Sequence, residues 1–300
     1  MSGIEHTDVT RPMSSDGAQS STGLAVGALS HPGIKRQDRP NEDSLFAARG
    51  IRLYGSQPFG VFIVADGMGG HLYGQEASRQ AIQTMIDQML PKLSESSELR
   101  ETDLKQLLID GVQAANQVIY QRNLEEGTDM GTTITAAVVV DLTAFVANVG
   151  DSRTYLYREP GGLRTITNDH SVVAYLVETG IIKPDDIYTH AQRNRIYRNL
   201  GAKPMIQVDV FVERIQPGDT LLLCSDGLWE MVRDPAIEQI LRNGADPSQT
   251  SSALLEAALV GGGADNVSVI VAQVTETTRQ IGMAGMQLLT KPDAVEMPKL

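Results

Sequence analysis

The feature of this sequence that most restricts its fold is a series of short apolar segments separated by turns. Residues 132–140 and 144–149 flank Asp141-Leu142-Thr143, and residues 154–157 precede a second turn at Glu159-Pro-Gly-Gly162. Apolar segments of this length predict strands, and the turns between them predict hairpins. Consecutive hairpins indicate antiparallel sheets rather than the alternating strands and helices of a parallel sheet.

Helices are predicted in two pairs, one early and one late in the chain. Apolar residues recur with a helical period in residues 76–89 and 104–124, and the later pair begins near Pro235 and near Gln249. The remaining predicted strands are residues 61–65, 208–212, 220–224 and 267–274. Runs of strands with helices in pairs predict an α+β fold in which helices cover antiparallel sheets.

Composition bounds the domain organisation. Hydrophobic residues make up 41% of the 300 residues, which is enough for a substantial core. No linker rich in proline or serine divides the middle of the chain, so we expect one domain over residues 24–276. Residues 1–23 are predicted to be a mobile tail, and residues 277–300 a second tail.

Net charge and cysteine content argue against several classes of function. The formal net charge of −12 argues against nucleic acid and an anionic membrane surface as partners. The first residues lack the apolar segment of a secretory signal, and no apolar run is long enough to span a membrane. The single cysteine, Cys224, ends an apolar strand and is expected to be buried. We therefore expect a cytoplasmic protein that acts as a monomer.

Five aspartates share one local context, because each lies next to the start or the end of a predicted strand. They are Asp43, Asp66, Asp151, Asp226 and Asp265. In antiparallel sheets the end of one strand neighbours the start of the next, so all five can gather at one edge. Carboxylates gathered in this way repel one another unless cations are bound, and all-oxygen ligation favours Mg²⁺ or Mn²⁺ over Zn²⁺. For any single loop, an ordinary Asp-Gly turn is the alternative interpretation.

A set of short motifs resembles the metal-dependent type 2C protein serine/threonine phosphatases in their bacterial form. The motifs occur in the family's order and cover about residues 24–276. They are Pro40-Asn-Glu-Asp43, Val64-Ala-Asp-Gly-Met-Gly-Gly-His71, Met130-Gly-Thr-Thr133, Ala147-Asn-Val-Gly-Asp-Ser-Arg153, Asp169-His-Ser171, Asn199-Leu-Gly201, Cys224-Ser-Asp-Gly-Leu-Trp229 and Asp265-Asn266. The resemblance implies an α/β/β/α four-layer sandwich of two antiparallel sheets flanked by helix pairs.

The resemblance also implies a binuclear Mn²⁺ or Mg²⁺ centre at one edge of that sandwich. The ligands that it implies are Asp43, Asp66, the backbone carbonyl of Gly67, Asp226 and Asp265. Asp151, with Asp226, matches a third and weaker metal site of the family. Glu42 and Asn266 match outer positions that hold metal-bound waters.

The implied reaction is hydrolysis of phosphoserine and phosphothreonine in proteins by direct attack of a hydroxide that bridges two metals. The cations also neutralise charge on the phosphoryl oxygens. A cysteine-based phosphatase would need Cys-x5-Arg, but the sixth residue after Cys224 is Glu230. The expected partners are phosphorylated proteins, the substrates of a Ser/Thr kinase. Two alternatives remain: a catalytically silent module that binds phosphoproteins, and a regulatory phosphatase of an anti-sigma antagonist.

Two further catalytic residues are predicted, each with an alternative. Arg36 is the predicted phosphate ligand, and Arg39 is the alternative because Arg36 precedes Asn41 by about two residues more than is usual in the family. His71 is the predicted general acid for the leaving oxygen, and a structural role at the following helix is the alternative. For His170 a turn residue is the preferred interpretation.

Residues 171–200 match the flap that borders the active site in this family. Its segment 190–198 is basic in an otherwise acidic chain. It is predicted either to attract acidic or phosphorylated substrates or to be an ordinary solvated helix face.

Overall fold

A computed structural model describes residues 20–51, 58–69, 72–95, 99–278 and 285–288. The strands are β1 (Ser20–His31), β2 (Asp43–Ile51), β3 (Pro58–Met68), β4 (Gly131–Thr132), β5 (Ile134–Val140), β6 (Thr143–Val149), β7 (Arg153–Arg158), β8 (Gly162–Thr165), β9 (Asp209–Arg214), β10 (Thr220–Cys224), β11 (Val267–Thr278) and β12 (Gly285–Leu288). The helices are α1 (Leu72–Glu95), α2 (Glu101–Glu126), α3 (Val172–Glu178), α4 (Asp226–Trp229), α5 (Asp234–Asn243) and α6 (Pro247–Val260), and a 3₁₀ helix spans Pro184–Tyr188.

The strands form two sheets. The first has the order β1-β11-β10-β7-β8, and the second has the order β12-β2-β3-β5-β6-β9, with β4 paired to β3. Neighbouring strands in these sheets are antiparallel. The predicted antiparallel arrangement is therefore confirmed.

Strand β3 shows how the layers are built. Side chains on a strand point alternately to opposite faces of the sheet. Val61 and Ile63 pack in a cluster with α1 and α2, whereas Phe62 and Val64 pack in the cluster between the two sheets. Full burial of each large apolar side chain stabilises the fold by about 1.5–3 kcal/mol.

The first sheet repeats this alternation toward the late helices. Leu221 and Leu223 of β10 face the inter-sheet core, and Leu222 and Cys224 join a cluster with α5 and α6. Three apolar clusters thus separate four layers, and the predicted α/β/β/α sandwich is confirmed. Cys224 is fully buried, as expected, and burial raises the pKa of its thiol far above the ordinary value.

The structure differs from the predicted boundaries at both ends of the domain. Strand β1 begins at Ser20, inside the segment predicted as a tail, and pairs along its whole length with β11 up to Thr278. Residues of β12 lie in the predicted C-terminal tail, yet they pair with the outer edge of β2. Neither segment has a strong strand pattern in its sequence. Each becomes a strand because a neighbouring strand supplies its hydrogen bonds. No helix in the described part of the chain is long and apolar enough to cross a membrane.

Candidate metal centre

The pairing of β2 with β3 brings two of the predicted ligands together. Asp43 is the first residue of β2 and lies opposite Asp66 in the antiparallel register. The prediction that Asp66 follows its strand was wrong, since β3 continues to Met68. Residues directly opposite each other have Cβ atoms about 4.5–5.5 Å apart, so the two carboxylates start from adjacent positions.

The backbone at Asp66 is held by the segment that follows α2. The Asp66 amide donates to Thr133 Oγ1 at 3.0 Å, and the Asp66 carbonyl accepts from Thr132 Oγ1 and from Thr133 N at 2.9 Å each. The next residue, Gly67, lies against α1. A Cβ atom at Gly67 would be 1.9 Å from the Gly74 carbonyl oxygen, so only glycine fits there.

The first sheet supplies Asp226, which begins the short helix α4 directly after β10. The preceding residue, Ser225, joins the two sheets. Its hydroxyl donates to Asp43 Oδ2 at 2.7 Å and accepts from the Ser268 amide at 3.0 Å. One buried serine therefore fixes a predicted ligand of one sheet against two strands of the other.

Asp265 precedes β11, and its neighbour Asn266 links that strand start to the loop before β2. The Asn266 amide donates to Asp265 Oδ1 at 2.7 Å. The Asn266 side chain accepts from the Glu42 amide at 2.8 Å and donates to the Pro32 carbonyl at 2.9 Å. Both ends of this buried side chain are thus used to hold the backbone around the site.

We call the five aspartates at this edge the acidic cluster; its members are Asp43, Asp66, Asp151, Asp226 and Asp265. Burial raises the pKa of every member, and it raises the pKa values of Asp43 and Asp151 to about 7. After burial, the carboxylates of the other four members raise the pKa of Asp66 further. The carboxylates therefore lie close enough for each negative charge to destabilise the next.

Two oxygen atoms of the acidic cluster test whether cations fit. Asp43 Oδ1 and Asp226 Oδ1 are buried, and neither has a hydrogen-bond partner among the described residues. A buried carboxylate oxygen without a partner is costly. Hard divalent cations bind carboxylate oxygens and cancel the mutual repulsion. The all-oxygen set of donors therefore fits Mn²⁺ or Mg²⁺.

The carboxylates of the acidic cluster are not arranged around a common metal position. Over the described ranges, no three acidic, histidine or cysteine side chains are grouped closely enough to hold one metal ion. Asp43 Oδ2 is bound to Ser225, and Asp265 Oδ1 is paired with Arg36, so both carboxylates are directed at protein partners. The fold brings the predicted ligands to one edge, where Asp43 keeps its second oxygen, Oδ1, without a hydrogen-bond partner among the described residues.

Arg36 lies at the acidic cluster. Its guanidinium forms an ion pair with Asp265 and approaches Glu42 Oε2 at 3.6 Å, while about a third of its side chain, 33%, stays exposed. The alternative, Arg39, is exposed, and its amide donates to the Arg36 carbonyl at 3.0 Å. Of the two candidates, Arg36 is the one that forms an ion pair with the acidic cluster, and its role as phosphate ligand stays a prediction. The predicted general acid, His71, lies outside the described residues.

Asp151 is also held by a second group of side chains, in which a positive and a negative charge balance each other. Trp229 Nε1 donates to the Asp151 carbonyl at 3.0 Å, and the Arg153 guanidinium lies 3.7 Å from the centre of the Trp229 ring. Arg153 also forms a two-point ion pair with Asp169 at 2.7–3.2 Å and donates to the Tyr155 hydroxyl at 2.9 Å. We call Arg153, Tyr155, Asp169 and Trp229 the arginine cluster.

The flap contains α3, the 3₁₀ helix and a series of turns, so its basic segment is not a solvated helix face. Arg193 lies 3.8 Å from Glu230, and Arg198 pairs with Asp209 at 2.7 Å. Two of its cations are therefore balanced by acidic residues of the domain. Arg195 is exposed.

Several residues that organise the site were not singled out by sequence reasoning. Ser225 and Thr133 bind predicted ligands directly or through the backbone, and His170 is buried rather than a simple turn residue. Arg153 and Asp169 each stand inside a quoted motif, and their opposite charges were the available signal. Ser225 also lies inside one of these motifs, but its partner Asp43 is distant in sequence, so nothing local indicates its role.

The sequence model of one protein family matches most of this chain. The model of the protein phosphatase 2C family covers residues 33–260. This chain belongs to that family. The serine/threonine phosphatase stp of Listeria monocytogenes is 37% identical over 215 residues, which are 71% of this chain and 84% of that protein. The protein phosphatase PhpP of Streptococcus pneumoniae is 33% identical over 255 residues, which are 84% of this chain and 98% of that protein.

A solved structure agrees with the fold. The catalytic domain of the serine/threonine protein phosphatase PstP, in complex with two manganese ions, is 33% identical to this 2C-type phosphatase. The superposition has a TM-score of 0.70 and covers 85% of this chain and 100% of the other. The predicted family, the fold and a metal-dependent serine/threonine phosphatase activity are thus confirmed, whereas the roles of individual residues stay predictions.

Proposed function

We propose that this phosphatase removes phosphate from phosphoserine and phosphothreonine in proteins, with Mn²⁺ or Mg²⁺ held by the acidic cluster. One observation carries the proposal. Five carboxylates share one edge of the sandwich, and buried oxygens of Asp43 and Asp226 have no partner among the described residues. Without bound cations such an arrangement is costly, so its chemistry favours metal binding.

The proposed ligands of two cations are Asp43, Asp66, the Gly67 carbonyl, Asp226 and Asp265. The position of Asp151 beside Asp226, whose pKa it raises, supports a third site for these two residues. When bound, the cations supply activation of water and neutralise charge on the phosphoryl oxygens.

The remaining steps fall to side chains of this chain. The Arg36 guanidinium is partly exposed and offers a planar fork to two phosphate oxygens, while Asp265 and Glu42 hold it in place. Ser225 fixes Asp43, and the Thr132–Thr133 segment fixes Asp66, so the ligands keep their positions during turnover. His71 stays the proposed proton donor to the leaving serine or threonine oxygen, on its position in the sequence.

Two other functions compete with this proposal. A catalytically silent phosphoprotein-binding module would be expected to lack some of the carboxylates, yet all five are present. A regulatory phosphatase of an anti-sigma antagonist would share the chemistry and differ in substrate. We further propose that the substrates are products of a Ser/Thr kinase, and that the protein is a cytoplasmic monomer, as its composition suggests.

The test is hydrolysis of a phosphothreonine peptide with Mn²⁺ and with chelator. We expect turnover only with the divalent cation. Asp226→Asn keeps the shape of the side chain but removes a charged ligand, so we expect a loss of about 100-fold or more in activity. Full activity in chelator would overturn the metal assignment.

The matched control is Asp110→Asn. Asp110 is exposed on α2, far in sequence from the motifs, and the substitution removes the same charge. We expect this variant to keep wild-type turnover. An equal loss in both variants would mean that net charge, and not ligation, determines the activity.

A further inference from the structure

His170 binds both backbone polar groups of Gly150, the residue before Asp151. The His170 amide donates to the Gly150 carbonyl at 2.9 Å, and the Gly150 amide donates to His170 Nδ1 at 3.0 Å. Gly150 has a φ of +107°, and a Cβ atom there would lie 2.6 Å from the Thr133 side chain. The loop to Asp151 thus begins with a conformation that favours glycine, and His170 holds it.

The hydrogen bonds of His170 define its tautomer. Because Nδ1 accepts from the Gly150 amide, the proton of the neutral ring is on Nε2. Nε2 lies 3.1 Å from Asp209 Oδ2 and therefore donates to it. The Arg198 Nη1 atom lies 2.9 Å from Nε2, but two donors cannot form a hydrogen bond, and Arg198 instead donates to Asp209 Oδ1 at 2.7 Å.

The surroundings keep this ring neutral. Burial lowers the pKa of His170, and the hydrogen bond from Nε2 to Asp209 opposes that effect only in part. Of the other charged groups that face it, Arg198 disfavours the protonated ring and Asp169 favours it. A neutral ring keeps Nδ1 available as the acceptor for Gly150.

The same residue stands where the two ends of the flap meet. The His170 carbonyl accepts from the Tyr197 amide at 2.9 Å, and Ser171 pairs with Ile196 in an isolated bridge. Ser171 also caps α3 by accepting from the Ala174 amide at 3.2 Å. The base of the flap and the Gly150 loop are therefore joined through one buried side chain and its backbone.

We propose that His170 is a positioning residue for Asp151: through Gly150 it sets the cation affinity of the Asp151 site and ties that site to the base of the flap. This inference rests on the proposed function, because Asp151 is a ligand only if the acidic cluster binds cations. Within the described residues, His170 makes no hydrogen bond to the side chain of a proposed ligand. Its role is to hold the loop from which Asp151 projects.

Two substitutions distinguish the roles of the two ring nitrogens of His170. His170→Asn places an amide oxygen near the position of Nδ1, so it can still accept from Gly150. His170→Gln places an amide nitrogen near Nε2, so it keeps the bond to Asp209 but loses the acceptor. Measured by calorimetry, Mn²⁺ binding should be unchanged in His170→Asn. In His170→Gln, the affinity of the weakest Mn²⁺ site should fall about 10-fold or more.

Hydrogen exchange of the Gly150 amide, measured in chelator, gives a second readout that needs neither metal nor turnover. We expect wild-type protection in His170→Asn and faster exchange in His170→Gln. Unchanged Mn²⁺ binding and unchanged exchange in His170→Gln would overturn the proposal. Equal effects of the two variants would also overturn it, since general loss of packing would then explain them.

A measurement on the wild-type protein covers the case in which neither variant folds. In ¹⁵N-histidine-labelled protein, we expect His170 to carry its proton on Nε2 with an unprotonated Nδ1, and a proton on Nδ1 would refute the inference. Absence of Mn²⁺-dependent turnover in the wild type would refute the proposed function instead. Exchange at Gly150 and the tautomer would be unaffected by that result, so the two failures are distinguishable.

Discussion

Two neighbouring groups of buried charges are built in opposite ways, and Trp229 of the first group binds the backbone of the second. In one, the arginine cluster, Arg153 is paired with Asp169 through three hydrogen bonds and contacts a phenol and an indole ring. In the other, the acidic cluster gathers five like charges, and the only ion pair that its members form in the described part of the chain joins Asp265 to Arg36. The first arrangement is complete within the protein, whereas the second needs something from outside it.

This difference separates structural charges from functional ones. A buried ion pair whose hydrogen bonds are all made holds local geometry, and breaking it leaves a charge without a partner. A group of like charges lowers the stability of the fold, and its retention points to a ligand that relieves the repulsion. The two clusters share a boundary at the Asp151 carbonyl, which Trp229 binds. The balanced cluster therefore supports one member of the unbalanced cluster.

The largest effect is expected from breaking the balanced cluster. In Arg153→Met, Asp169 is left buried without its cation, so the free energy of unfolding should fall by about 3–5 kcal/mol. Chemical denaturation measures this loss. The control is Arg164→Met: the Arg164 side chain is 49% exposed, against 9% for Arg153. Breaking its ion pair with Glu213 should cost no more than about 1 kcal/mol, and similar losses in both variants would contradict the comparison.

The pH dependence of stability in chelator should reveal the unbalanced cluster. The pKa values of Asp43 and Asp151 are raised from 3.8 to about 7, so the folded state holds protons that the unfolded chain has released between these pH values. The contribution of these two carboxyls to the free energy of unfolding is therefore fully present below their unfolded pKa of 3.8, and it is lost as the pH rises through about 7. Each fully protonated carboxyl contributes a slope of about 1.4 kcal/mol per pH unit.

Denaturation in chelator between pH 4.5 and about 7 tests this sign. Mn²⁺ should reduce the slope, because cations replace the protons. Asp43→Asn removes one of the two carboxyls and should reduce the slope in chelator as well. A slope in chelator that Asp43→Asn leaves unchanged would show that Asp43 does not titrate in this range.

The smallest effect is expected at the boundary between the acidic cluster and substrate. Arg36→Lys keeps the charge beside Asp265 but loses the planar fork, so KM for a phosphothreonine peptide should rise about 5-fold with kcat nearly unchanged. Arg39→Lys is the matched control, because Arg39 is exposed and its amide only closes the turn. A larger rise in KM for Arg39→Lys would reverse the assignment of the phosphate ligand.

How far the site was predictable depends on the distance in sequence over which each residue acts. Asp66-Gly67 and Asp226-Gly227 carry local signals, because an aspartate beside a glycine at a strand end is visible in the sequence itself. Ser225 donates to Asp43 across 182 residues, and His170 holds Gly150 across 20. Only the tertiary fold brings such partners together.

The fold shows the same division. The apolar segments of β5, β6, β10 and β11 were predicted from composition, because their residues are apolar enough to define a buried strand alone. Strand β1 begins with Ser-Ser-Thr-Gly, and its pairing with β11 makes it a strand. Hydrogen bonds from a neighbour outweigh weak local preference, since a strand is completed by its partners.

By itself the sequence determined the consecutive strands with helices in pairs, the acidic character of the site and the residue types of the predicted ligands, because side-chain periodicity and residue chemistry are local properties. The tertiary structure alone decided that Asp43 faces Asp66, that Arg36 meets Asp265 and that the arginine cluster supports Asp151. These juxtapositions depend on strand register and on the stacking of two sheets, which are set by the whole core and not by any single segment.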